Sequence, residues 1–84
     1  MYKIFINYNN LLCITHNATT LAYGFERPGL NLWLGYATDK TGSHRKITTN
    51  NRAQLIFKLK LLLINMGYDD SILDEELSDD KSKV

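Results

Sequence analysis

Residues 48–67 read TTNNRAQLIFKLKLLLINMG, and the order of the fold follows from how this stretch begins, continues and stops. Thr48, Thr49 or Asn50 supplies a side-chain oxygen that caps a helix N-terminus, and Gly67 suits the left-handed position that ends one. No Gly or Pro interrupts residues 51–66, so a helix is expected to run to about Met66. On a helical wheel Asn51, Gln54, Lys58 and Asn65 make one narrow polar stripe, and nearly everything else is apolar. A surface helix of a small domain normally buries a stripe a little over 100° wide. This helix carries more apolar surface than one small sheet covers. The remainder, around Leu59, Leu62, Leu63 and Met66, is expected to meet residues 69–77, a partner protein or a second copy of the chain, with a homodimer as the expected state.

Upstream the period changes from helical to alternating. Tyr2, Ile4, Ile6 and Tyr8 share one side of a strand over residues 2–8, with Lys3, Phe5 and Asn7 on the other. Asn9-Asn10 reads as a two-residue hairpin turn, residues 11–16 as a second strand, 17–20 as another turn and 21–26 as a third strand. Arg27-Pro28-Gly29-Leu30 is the clearest turn. Proline presets φ at its second position, and glycine supplies the positive φ that a type II turn needs at its third. A fourth strand follows, with Leu30, Leu32, Leu34 and Tyr36 facing one way and Asn31, Trp33 and Gly35 the other. Residues 39–43 make a loop, and 44–48 a short fifth strand. Beyond the long helix, residues 69–77 read as a short capped helix, and from Ser78 the chain is polar and expected to fray. The fold class is therefore α+β: an antiparallel β-meander of four to five strands followed by one long C-terminal helix and a short acidic helix or tail. Residues 1–68 form the expected compact domain, and 69–84 an acidic C-terminal segment.

A chain of 84 residues allows one domain. At this size roughly 60–65% of the unfolded surface is buried, enough for one core without metal or disulfide. The single cysteine, Cys13, excludes an intrachain disulfide. Asn7, Asn9 and Asn10 break the N-terminal apolar run before it reaches signal-peptide length, and Leu61 to Ile64 is far too short to span a bilayer, so a cytoplasmic protein without a membrane partner is expected. The net charge of +1 hides an asymmetry. Residues 1–68 hold eight basic side chains against two acidic ones, a formal +6, whereas residues 69–84 hold seven acidic against two basic, a formal −5. A basic body with an acidic tail fits a domain that meets polyanions.

No residue set satisfies a catalytic pattern. Cys13 and His16, three apart on a strand, point to opposite faces and cannot share an ion or act as a nucleophile pair. Glu26 and Asp39 are separated by a hairpin, and the other acids lie in the tail. The expectation is no enzyme, no cofactor and no metal. The constellation that remains is Lys40, Ser43, His44, Arg45 and Lys46 leading to Arg52 at the helix start. There a Gly-Ser loop and a helix N-terminus offer donors to a phosphate. Trp33, Tyr23 and Tyr36 can stack on bases where they face solvent, and are core residues where they do not.

The run from Arg27-Pro28-Gly29 through the 30–37 strand, Gly42-Ser43 and the basic residues before the helix resembles the last half of a double-stranded-RNA-binding domain. In that family, basic residues at the start of the last helix touch phosphates across a groove. The resemblance covers under half the chain. Strands over 2–8 and 11–16 stand where that family has its first helix, and Ile47 to Asn50 separate the basic run from the helix.

Two functions follow as expectations. One is a non-enzymatic accessory protein that binds nucleic acid, RNA favoured, through the basic loop and helix N-terminus. The other is a small inhibitor or adaptor of the phage or mobile-element type, a host-defence antagonist in its sharpest form. It would bind a host nucleic-acid-processing or defence complex by protein–protein contacts. Small size and an Asn-, Ile- and Lys-rich composition suit such a source.

Overall fold

A computed structural model of the chain describes residues 1–78. Five strands, β1 (Tyr2–Ile6), β2 (Leu12–His16), β3 (Thr19–Arg27), β4 (Leu32–Thr38) and β5 (His44–Thr49), precede the helix α1 (Arg52–Asn65). A short 3-10 helix (Asp70–Asp74) and a two-residue strand β6 (Leu77–Ser78) follow. The sheet order is β5-β4-β3-β2-β1-β6. Strands β1 to β5 pair antiparallel in sequence order, and β6 lies parallel to β1 on its outer edge. The α+β meander with one long C-terminal helix is thus as expected. The sixth strand and the 3-10 form of the acidic turn are additions, and the residues beyond Ser78, expected to fray, lie outside the described residues.

Local chemistry explains the turns. The Asn7 carboxamide oxygen accepts from the backbone N–H groups of both Asn9 and Leu11, so β1 stops at Ile6 and the first turn is a longer loop than Asn9-Asn10 alone. Asn17 and Ala18 both take positive φ, 52° and 70°, between the paired residues His16 and Thr19. That is the primed two-residue turn whose twist matches a hairpin. At Gly29 φ is 82°, and Leu30 N–H donates to the Arg27 carbonyl at 3.2 Å, closing the proline-glycine turn as its residue types require.

The helix is capped one residue later than expected. Asn51 accepts from Gln54 N–H at 2.8 Å, and the Thr49 hydroxyl donates to the Asn51 carbonyl. At the other end Gly67, with φ 105°, donates to Ile64 and Tyr68 donates to Leu63, the paired bonds of a Schellman ending. Leu55, Leu59 and Leu63, at i, i+4 and i+8, are fully buried. They lie over a flat patch of small side chains in the middle of the sheet. A Cβ at Gly24 would stand 2.7 Å from Leu55 Cδ2, and one at Gly35 would stand 2.6 Å from Leu55 Cδ1. Ala22 and Ala37 flank this patch in the same core.

The C-terminal stretch finishes that core, so the boundary expected at residue 68 falls inside the packed unit. Ile72 is fully buried beside Leu63 and Ile4 in one cluster. The Tyr2 hydroxyl accepts from Asp69 N–H at 3.1 Å, and the Lys60 ammonium donates to the carbonyls of Leu73 and Glu75. The partner surface expected around Leu59, Leu62, Leu63 and Met66 is corrected accordingly. Leu59 and Leu63 are interior because they point straight at the sheet, while Leu62 and Met66 are half-buried against the same core. The apolar side chains that α1 leaves in solvent are instead Phe57 and Leu61. Among the described residues no helix is long and apolar enough to cross a membrane.

Two substitutions separate these roles. Leu59→Ala opens a hole in the core and is expected to cost about 2–5 kcal/mol, whereas Leu61→Ala is expected to stay within about 0.5 kcal/mol. Urea denaturation of both variants checks the assignment. Gly35→Ala forces Leu55 off its seat and is expected to destabilise by about 1–3 kcal/mol despite the lower chain entropy of alanine.

Candidate nucleic-acid interface

The six residues expected to gather around a phosphate lie instead along one edge of the molecule. Lys40 sits at the C-terminal end of α1, its ammonium 5.3 Å from the centroid of the Tyr68 ring. Arg52 opens α1 at the other end, where it lines a cavity of about 420 Å³ with Glu26, Trp33 and Ile6. A helix of this length separates its ends by roughly 20 Å. His44, Arg45 and Lys46 are consecutive on β5, so alternate ones face opposite ways. Lys46 stands opposite Tyr36 and Arg45 opposite Ala37, on different faces of the sheet. The His44 ring Nδ1 is 3.1 Å from the Thr38 hydroxyl.

The loop itself holds its own anion. The Asp39 carboxylate accepts from Thr41 N–H, the Thr41 hydroxyl and Ser43 N–H, so the donors expected to cradle a phosphate are already engaged. Chiefly the Thr41 hydroxyl bond, then the Ser43 N–H, holds the Asp39 carboxyl below its ordinary pKa, and nearby Arg45 adds to the effect. What remains is a strip of exposed cations, Lys40, Arg45, Lys46 and Arg52, along the full length of the edge strand. Positive charge on an edge strand also discourages edge-to-edge aggregation.

A second feature is the sheet face that carries no helix. Gly24 and Gly35 point at α1, so by alternation Tyr23, Phe25, Leu34 and Tyr36 point away from it. The Tyr23 and Tyr36 rings stack at 5.3 Å with 22° between planes, and Phe25 joins Tyr36 at 6.2 Å and 14°. Tyr23 is 39% exposed, and Phe25 and Tyr36 are half-buried. Of the aromatics expected to be available for stacking, these two tyrosines face outward, and Trp33 packs toward the helix side. The strands β1 to β5 contain one acidic residue, Glu26, which pairs with Trp33 on the helix side. The sequence signal for this face was the Tyr-Gly-Phe and Leu-Gly-Tyr pattern at 23–25 and 34–36, where glycine alternates with a large ring or leucine.

The remaining reactive side chains stay apart. Cys13 lies on the helix-free face opposite Phe5 and Tyr23, and His16 stacks on Tyr2 on the other side at 4.5 Å. Burial pushes the Cys13 thiol up, away from the thiolate form. Among the described residues no three His, Cys, Asp or Glu side chains group as metal ligands would. No family model, curated protein or solved structure matches the chain.

The depressed Asp39 pKa carries a sign that can be measured. Its stabilising contribution is present above the ordinary aspartate value of about 3.9 and is lost as pH falls through the lower value of the folded state. The melting-temperature gap between the native chain and Asp39→Asn is therefore expected at neutral pH and should shrink below about pH 4.

Proposed function

We propose that this chain is a non-enzymatic nucleic-acid-binding protein, RNA favoured, that holds a sugar–phosphate backbone along the edge formed by the 39–43 loop, β5 and the first turn of α1. The observation that carries this reading is that four cations, Lys40, Arg45, Lys46 and Arg52, are all exposed along that edge, on both of its faces. Spread over roughly 20 Å, they suit several successive phosphates better than one gathered anion. The charge of the molecule is polarised in the same sense. Glu75 and Glu76 flank β6, five strands away from β5. At about 4.8 Å per strand they lie well beyond the screening length of about 8–10 Å, so they leave the basic edge uncompensated and help to orient it toward a polyanion.

A second reading, the protein inhibitor or adaptor, is favoured by one observation. Phe57 and Leu61, 55% and 45% exposed, stand one turn apart on the outer side of α1. Under that reading the helix, rather than the edge, meets a host complex or a second copy.

Filter binding at two salt concentrations separates the two. Reversing Arg45→Glu and Arg52→Glu together is expected to weaken RNA binding without lowering the melting temperature. For each phosphate that the variant no longer neutralises, the slope of log K against log salt should become shallower by about 0.7–0.9. Absence of salt-dependent binding by the native chain rejects the nucleic-acid reading. A change of sedimentation on Leu61→Lys would then support the protein reading.

A further inference from the structure

We propose that the helix-free face of the sheet is a stacking platform for single-stranded RNA, reached from the basic edge. This rests on the reading of that edge and adds the strandedness and sugar of what it holds. The register brings Phe5, Cys13, Tyr23, Tyr36 and Lys46 into one row across five strands. Lys46 therefore belongs to both features: it lies on the edge strand and its side chain is directed to the platform face. Arg27 falls on the same face by alternation, and Glu26, the one acid of β1 to β5, does not; Lys3 also lies on this face but in the groove beside Glu75 and Glu76. The charge of the β3 to β5 side of the platform, Arg27 and Lys46, thus matches a polyanion, while its middle offers rings.

The geometry of those rings selects the strandedness. Tyr23, Tyr36 and Phe25 are already near-parallel, so a base added in the same orientation extends a stack that needs no reordering. Bases in a duplex are stacked within the helix and present only their edges, so a double strand keeps its phosphates within reach of the cations but offers the rings no base. Hydroxyl groups select the sugar. Thr48 is exposed on this face, on the strand that carries Lys46, and a hydroxyl, like the phenols of Tyr23 and Tyr36, pairs with a ribose 2′-OH as either donor or acceptor. The platform ends at β1. There Glu75 and Glu76 wall a groove of about 850 Å³ floored by Lys3 and Phe5, and their charge turns a phosphate backbone away.

The test compares dye-labelled RNA of about ten nucleotides with its own duplex and with DNA of the same sequence, by fluorescence anisotropy at two salt concentrations. Single-stranded RNA is expected to bind at least tenfold tighter than the duplex. Tyr23→Leu with Tyr36→Leu, which keeps apolar cover on the sheet, is expected to weaken single-strand binding on the order of tenfold or more, with the salt slope unchanged. Tyr23→Phe with Tyr36→Phe should retain the stacking share of binding. The strand comparison uses the native chain, so it decides the matter even where a leucine variant fails to fold. Equal affinity for single strand and duplex, with a normal salt slope, overturns the platform and leaves the basic edge standing. Equal affinity for RNA and DNA overturns the choice of sugar. No salt-dependent binding to any probe overturns the edge reading and the platform together. A leucine variant that changes sedimentation but not RNA affinity assigns the face to a second copy of the chain and overturns the proposal.

Discussion

The seating of Leu55 and Leu59 on Gly24 and Gly35 is the contact on which the other features of this molecule depend. A Cβ at Gly35 would stand only 2.6 Å from Leu55 Cδ1, so the leucine occupies the space that any larger residue there would need. Burying each of these leucines contributes roughly 1.5–3 kcal/mol, and the contact recruits β3 and β4 together under one helix. Because side chains alternate along a strand, giving the helix the glycines and alanines sends the large residues between them to the opposite face. The stacked tyrosines are outside because the glycines are inside.

A single helix seated over β3, β4 and β5 leaves the β1 side of the core uncovered. Residues 69–78 complete it. Ile72 fills the remaining space beside Ile4, the Tyr2 hydroxyl receives the Asp69 N–H, and Lys60 reaches from the helix to two carbonyls of the returning chain. These bonds leave backbone groups satisfied as the chain folds back, which matters because an unpaired buried group costs as much as a broken hydrogen bond. Strand β6 then caps the β1 edge, while β5 stays open at the other.

This closure also polarises the charge. The returning segment carries Glu75 and Glu76 to the β1 side. Four of the eight basic residues of 1–68, Lys40, Arg45, Lys46 and Arg52, lie on β5, the loop before it and the start of α1; Lys3, Arg27, Lys58 and Lys60 lie on β1, β3 and α1. What reads along the chain as a basic body and an acidic tail becomes, in space, a sheet with one basic and one acidic edge. The polarity places cations and outward-facing rings on neighbouring surfaces, with Lys46 common to both.

The elements themselves were legible from residue types. Pro28-Gly29 can hardly be other than a turn, Gly67 stops a helix that nothing before it would stop, and the alternation over residues 2–8 and 30–37 is that of strands. These are short-range constraints set by φ, by hydrogen-bond donors and by side-chain period, and such constraints travel with the sequence. The period of two says which residues share a face. It does not say which face meets the helix, and the apolar row Leu32, Leu34 and Tyr36 lies on the face that does not. Close approach of helix to sheet, which needs small residues on two neighbouring strands at once, decided it, because Gly24 and Gly35 lie under Leu55. The same alternation scattered the basic run, since Arg45 and Lys46 are adjacent in sequence and on opposite faces in space. The cover given by Ile72 and Lys60 depends on contacts between residues far apart in the chain, which no local pattern encodes.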